Sequence, residues 1–209
     1  MHKRLRVPPT KSVLLQLQHQ VAFLESGYEL LERKRELLTR LVYEQLANYR
    51  QLRREAKQAL EGAYHWLSIT HMRMGTRMLR QAGRGLDPAL RVQVIARSNL
   101  GVQYPSVSTE TLPLQPVSLL WTDTSFDETR RQLADLAQLL ARLGESETAL
   151  RRMLEEQRKT QKRVNALRYN VIPRYQETIR FTRAALEEEE RNTLFQIKVL
   201  KEQEEKTRS

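Results

Sequence analysis

RVNALRYNVIPRYQETIRFTRAALEEEERNTLFQIKVLK, residues 163–201, contains no glycine and a single proline, Pro173. It reads as helix throughout and lies within a longer helical run. Its apolar positions continue the seam of an upstream segment, which runs Leu133, Leu136, Leu140, Leu143, Glu147, Leu150, Leu154, Gln157, Gln161 and Val164. Past Val164 the pattern passes Leu167 and Val171, then slips by one residue to Ile172, Tyr175, Ile179, Thr182 and Leu186. The slip falls at Pro173. A proline there removes a backbone bond and crowds the preceding turn, so a kink is expected without an end to the helix.

A helix with so narrow a seam needs a partner. The partner lies at the other end of the chain. Pro8 and Pro9 close a short extended arm, and Thr10 or Ser12 can cap a helix start. Steps of three and four then lead through Leu14, Leu17, Val21, Leu24, Tyr28, Leu31, Arg35, Leu38, Val42, Gln45, Tyr49, Leu52, Ala56, Ala59 and Ala63. All but Arg35 and Gln45 are apolar or aromatic. An average step of 3.5 residues is the signature of a left-handed coiled coil. The pattern fades after Gly62, and the helix is expected to reach about Met74.

Between the two helices, RVQVIAR and LGVQYP read as short strands joined at SNLG, a β-hairpin within residues 91–105. The segment from Pro105 to Asp123 reads as an irregular loop. Ser125 opens S-x-x-E, a capping box with Glu128, at the start of the second helix. The expected divisions are an N-terminal helix over 1–75, a connecting region over 76–126 and a C-terminal helix over 127–209. The fold class is all-α: a long antiparallel two-helix coiled coil with a small β-hairpin at the connecting end. At about 1.5 Å per residue the helices would extend roughly 90 and 120 Å, a rod with a knob.

Composition fits this reading. Of 209 residues 40% are hydrophobic and 29% charged, with 7 Gly, 7 Pro and no Cys. Cysteine-based metal sites and disulfides are excluded, and no apolar run is long enough to cross a bilayer. The net charge of +11 resides at the two ends, +6 over residues 1–60 and +5 over 129–209, with 0 between. Such a balance suits an anionic partner or a solvated arginine-rich helix surface.

Nothing in the sequence points to catalysis or to a cofactor. His2, His19, His65 and His71 form no i, i+4 pair and read as helix-surface residues. AGRGLDPA lacks the spacing of a phosphate loop. Glu187 to Glu190 point in different directions around a helix. Met72, Met74 and Met78 suit an irregular packing contact.

Several stretches together resemble the D subunit of the V/A-type rotary ATPases. PTKSVLLQLQ and GYELLERKRELL match that family's N-terminal motifs at Pro9, Thr10, Leu14, Leu15, Gly27, Leu30, Leu31, Lys34, Arg35 and Leu38. RVNALRYNVIP is similar to the family's R-R-V-N-A-L-E-x-x-V-I-P, with Lys162 in place of the first Arg and Arg168 where an acid is common. SNLGVQYP resembles its hairpin segment.

The resemblance implies a non-catalytic central rotor shaft, cytoplasmic and peripheral to the membrane. Its partners would be the A and B subunits of the catalytic ring, the F subunit of the central stalk, and a funnel-shaped subunit above the membrane rotor ring. It would transmit torque between ATP turnover and proton or sodium movement. Candidate partner or torque contacts are Lys34, Arg35, Arg163, Asn165, Arg174, Arg191 and Phe195. Arg35 has an equally good reading as a support at an a/d-type position. Two other classes stay open: a coiled-coil adaptor at a membrane surface and a nucleic-acid-binding rod. Arginines spread evenly among glutamates argue against both.

Overall fold

Thr10 starts the first helix because its hydroxyl accepts the Val13 N–H at 3.3 Å, satisfying a donor that the first turn leaves orphaned. In a computed structural model that describes residues 4–115 and 122–208, α1 runs Lys11–Arg84. Its dihedrals are helical except at Gly75, where φ is 75° and ψ 161°. That left-handed φ favours glycine; it kinks the helix just past Met74, where an end was expected, and helix resumes beyond it to Arg84. Strands β1 (Leu90–Asn99) and β2 (Val102–Thr111) follow, then α2 (Thr124–Ala166), a π-helical turn (Leu167–Val171) and α3 (Ile172–Arg208). The chain divides into two compact units, residues 1–36 with 158–209, and residues 37–157.

In the first unit the beginning of α1 lies antiparallel to α3. Lys11 pairs with Glu190 at 2.8 Å, Glu25 accepts from Gln176 at 3.1 Å, and Arg35 donates to Gln161 at 3.2 Å. As one number rises the other falls. Leu17 and Val21 are buried on α1, with Leu24, Tyr28 and Leu31 half-buried. Thr160, Val164, Ile172, Thr178 and Thr182 are buried on the C-terminal side. The N-terminal arm turns back at Pro8–Pro9. The Leu5 N–H bonds the Thr178 hydroxyl at 3.1 Å, and the Arg4 guanidinium stacks 4.4 Å from the Phe181 ring centre.

The irregularity before Pro173 is a π turn. The Ile172 N–H bonds the Leu167 carbonyl, five residues back. A π turn inserts one extra residue into a helix. Leu167 and Ile172, five apart, therefore both stay at least half-buried, and the downstream seam keeps facing its partner. Past the slip, Thr178 is the buried residue while the expected Ile179 is half-buried, as are Leu167, Val171 and Leu186.

In the second unit α1 and α2 are again antiparallel. Leu38 clusters with Met153, a Cβ at Gly62 would stand 3.8 Å from Gln132 Oε1, and the Thr70 and Thr129 hydroxyls meet at 2.7 Å. Every second-helix position in the series Ser125, Thr129, Gln132, Leu136, Leu139, Leu143, Ser146, Leu150, Met153 and Gln157 is buried or half-buried. This unbroken 4-3 pattern corrects part of the expected seam. Leu140, expected inside, is 49% exposed, and Leu133 and Glu147 are also exposed. Leu154 is only half-buried beside the fully buried Met153. Ser125, Thr129, Gln132, Ser146 and Gln157 occupy seam positions, so a search for apolar residues slides onto the neighbouring leucines.

The hairpin is longer than expected. β1 and β2 pair antiparallel from Leu90↔Thr111 to Asn99↔Val102, and the strand takes in Pro105, opposite Ala96. Leu100 (φ 51°) and Gly101 (φ 79°) make the turn, both left-handed as a two-residue hairpin loop of the I′ kind requires. β2 runs back along α2. Gln103 O accepts from Arg152 at 2.8 Å, the Val107 N–H bonds Glu145 at 2.9 Å, and Gln138 donates to Thr109 at 3.3 Å. The hairpin tip thus reaches the core, where Val102 packs with Leu38 and Met153, with Leu41, Val42 and Tyr104 around them.

Residues 105–111, expected as loop, are strand because this docking covers β2. Of the remaining expected loop, 116–121 lies outside the described residues. The capping box at Ser125 is replaced by Asp123. Its carboxylate accepts the Thr124 N–H and the Ser125 hydroxyl, while Glu128 bonds Arg131 and Gln132 instead.

Candidate partner-contact surface

All seven candidate contact residues fall in the first unit. Their surroundings differ. Arg35 sits in the seam, with its side chain 30% exposed. It donates to Glu32 and to Gln161 Oε1, and Gln161 Nε2 in turn donates to Asn165 at 2.8 Å. Arg35 therefore bridges the two helices through a polar layer, and Asn165 terminates that layer on the exposed side. Lys34 and Arg174 are half-buried and each already has an interaction partner. Arg163 is exposed. Arg191 is exposed as well, 4.0 Å from Glu188.

Phe195 belongs to a feature that charge-based reading overlooks. Beyond Glu190, which pairs with Lys11 near the start of α1, nearly every described residue of α3 is exposed. Leu194 is 67% exposed, Phe195 68%, Ile197 46% and Leu200 60%. A lone exposed leucine is ordinary, whereas several large apolar residues exposed on one helix end are less so. On α1 of the same unit Leu15, Phe23 and Leu30 are exposed too, at spacings of eight and seven. That near-heptad repeat places them along one outer stripe. On α1 the signal is present in the sequence: Leu15, Phe23 and Leu30 are apolar yet each stands one residue off the seam positions Leu14, Leu24 and Leu31.

Electrostatics at the helix ends are those of solvated ion pairs. Glu190, through its hydrogen bond and then its charge, raises the Lys11 pKa above the usual lysine value. In the second unit Asp123 is held below the usual carboxylate range, first by the Arg73 hydrogen bond at 2.8 Å and then by that of Ser125. A stripe of Arg50, Arg53, Arg54 and Lys57 lines an open hollow on α1, at the i, i+3, i+4, i+7 spacing of one helix face.

His19, His65 and His71 are exposed on α1. Among the described residues there is no group of three acidic or histidine side chains able to hold a metal ion. No helix of the described residues is long and apolar enough to cross a membrane. What the arrangement offers is contact: stiff helix pairs with apolar and basic faces.

Comparison with known proteins agrees with the geometry. A family model described as the D subunit of ATP synthase matches residues 13–202. The A-type ATP synthase D subunit of Pyrococcus furiosus is 30% identical over 205 residues, covering 96% of each chain. The V-type ATP synthase D subunit of Thermotoga neapolitana is 31% identical over 199 residues, 95% of this chain and 98% of its own. The A-type D subunit of Methanosarcina mazei is 30% identical over 199 residues, 93% of this chain and 95% of its own. With a family model matching residues 13–202 and these relatives aligned over nearly the whole chain, this chain belongs to the family of ATP synthase D subunits.

Proposed function

We propose that this protein is the central rotor shaft of a V/A-type rotary ATPase. It turns inside the ring of A and B subunits, binds the F subunit, and stands on the funnel-shaped subunit above the membrane rotor ring. It carries torque between ATP turnover and ion movement and performs no catalysis itself. The observation that supports this best is the bare end of α3. Leu194, Phe195, Ile197 and Leu200 require a cover, and an apolar sleeve in the catalytic ring would supply one while allowing rotation. Paired helices give the torsional stiffness a shaft needs. Exposed arginines such as Arg163 and Arg191 suit long-range attraction to acidic loops, which does not lock one orientation.

Co-expression with A, B and F subunits, followed by size-exclusion chromatography and ATPase assay, tests this. The expected result is one complex with a single copy of this chain per three A and three B, whose coupled turnover depends on it. Failure to associate at low and moderate salt would overturn the reading.

A further inference from the structure

The hairpin docks on the helices and leaves a groove of about 460 Å³ between them. Gln45, Asn48 and Leu52 of α1 form one wall. Arg97 of β1 with Tyr104 and Val107 of β2 form the second, and Arg142, Glu145, Ser146 and Ala149 of α2 the third. Three features set it apart from a packing gap. First, the size falls in the range of small-molecule sites. Second, Arg97 and Arg142 both line it, and neither has an ion-pair or hydrogen-bond partner among the described residues. Third, Ser146, only 4% exposed, has a buried hydroxyl with no hydrogen-bond partner among the described residues.

A buried hydroxyl without a partner is costly, and Ser146 stands four residues after Arg142 on the wall that α2 supplies. Glu145 is the one acidic lining residue, and it is engaged by the Val107 N–H at 2.9 Å. Two arginines against one glutamate leave the lining with a positive balance. Gln45 and Asn48 add side-chain amide donors.

We propose that this groove binds a phosphate group, free or carried on a small nucleoside phosphate. Arg97 and Arg142 supply charge-assisted hydrogen bonds, as guanidinium groups do for tetrahedral oxyanions. Ser146, whose hydroxyl is closed off as it stands, donates its otherwise unused proton to a phosphate oxygen once rotation about its Cα–Cβ bond turns that hydroxyl to the groove. Leu52, Tyr104 and Val107 offer an apolar wall to whatever the phosphate carries. Binding would tie β1, β2 and α2 together, so that the ligand fixes the hairpin against the helices. The proposal does not depend on the shaft reading.

The test is thermal unfolding of the isolated full chain in inorganic phosphate, in adenosine monophosphate, and in chloride at matched ionic strength. Phosphate is expected to raise the midpoint above that in chloride. A larger rise with the nucleotide assigns a carried phosphate, and an equal rise a free one. Arg97→Gln and Arg142→Gln should each raise the half-saturating concentration by about tenfold or more. Ser146→Ala separates binding from packing. It should leave the unliganded midpoint unchanged or higher, because the hydroxyl has no partner to lose, yet weaken the phosphate response. The same midpoint in phosphate, nucleotide and chloride, or an undiminished response in the Arg97→Gln/Arg142→Gln double variant, would overturn the proposal.

Discussion

Arg35 Nη1 donates to Gln161 Oε1 at 3.2 Å, across two helices whose residues are 126 positions apart in the chain. The same guanidinium holds Glu32, one of whose carboxylate oxygens is buried with no hydrogen-bond partner among the described residues. A charged layer thus stands within the seam. In coiled coils such a layer costs stability and fixes register.

Removing only the cation should therefore hurt more than removing the pair. Arg35→Met is expected to cost about 1–3 kcal/mol, since Glu32 is left part-buried without its partner. Adding Glu32→Gln should recover most of that loss. Urea unfolding of both single variants and the double variant measures the coupling.

The corrected register of α2 gives a sharper contrast. Met153→Ala, at a fully buried position, should cost about 2–5 kcal/mol. Leu140→Ala, at a position 49% exposed, should cost under about 1 kcal/mol. Equal losses in denaturation midpoint would mean that the seam passes through Leu140 after all.

The π turn predicts an unusual tolerance. Its extra residue is what keeps α3 in phase, so a chain lacking it can form ordinary helix through the same place. Deleting Asn170, together with Pro173→Ala to spare the new α-helical turn its missing donor, should keep the midpoint close to that of Pro173→Ala alone. Deleting Lys159, equally exposed but within regular α2, should put every following seam residue out of phase and lower the midpoint steeply. Circular dichroism during heating distinguishes the two.

Asp123 ties the start of α2 to Arg73, and its pKa is lowered first by that contact. A carboxyl group whose folded pKa is depressed contributes stability above its unfolded value. That contribution disappears as pH falls through the depressed folded value. Carboxyl carbon NMR should find Asp123 titrating below free aspartate, and Arg73→Gln should move it back up. An unchanged titration would place the cause elsewhere.

Much of this fold is visible in the sequence because α1 buries apolar residues at nearly every seam position. The periodicity from Leu14 to Ala63 marks a continuous line, and every position on it is buried or half-buried. In α2 the same logic slips by one residue. Ser125, Thr129, Ser146 and Thr160 occupy seam positions, and small polar side chains carry no hydropathy signal. Their hydroxyls fit between closely packed helices: Thr70 and Thr129 share two protons among four short contacts, including those to the Trp66 and Ser125 carbonyls. β2 past Pro105 is illegible in the sequence because its partner is a helix surface distant along the chain. The candidate contacts are the hardest to read: Arg35, singled out for its charge, lies part-buried in the seam, while the apolar residues Leu194, Phe195, Ile197 and Leu200, most of which no charge-based search selects, are exposed.

The central claim is that this subunit rotates. The chain has no cysteine, so Gln93→Cys on the exposed strand β1 gives a single attachment point for a bead. In a surface-anchored complex of this protein with the A, B and F subunits, ATP should drive the bead in one direction, in steps matching the threefold ring. ATP hydrolysis that proceeds with the bead stationary, or only diffusing, would contradict the account.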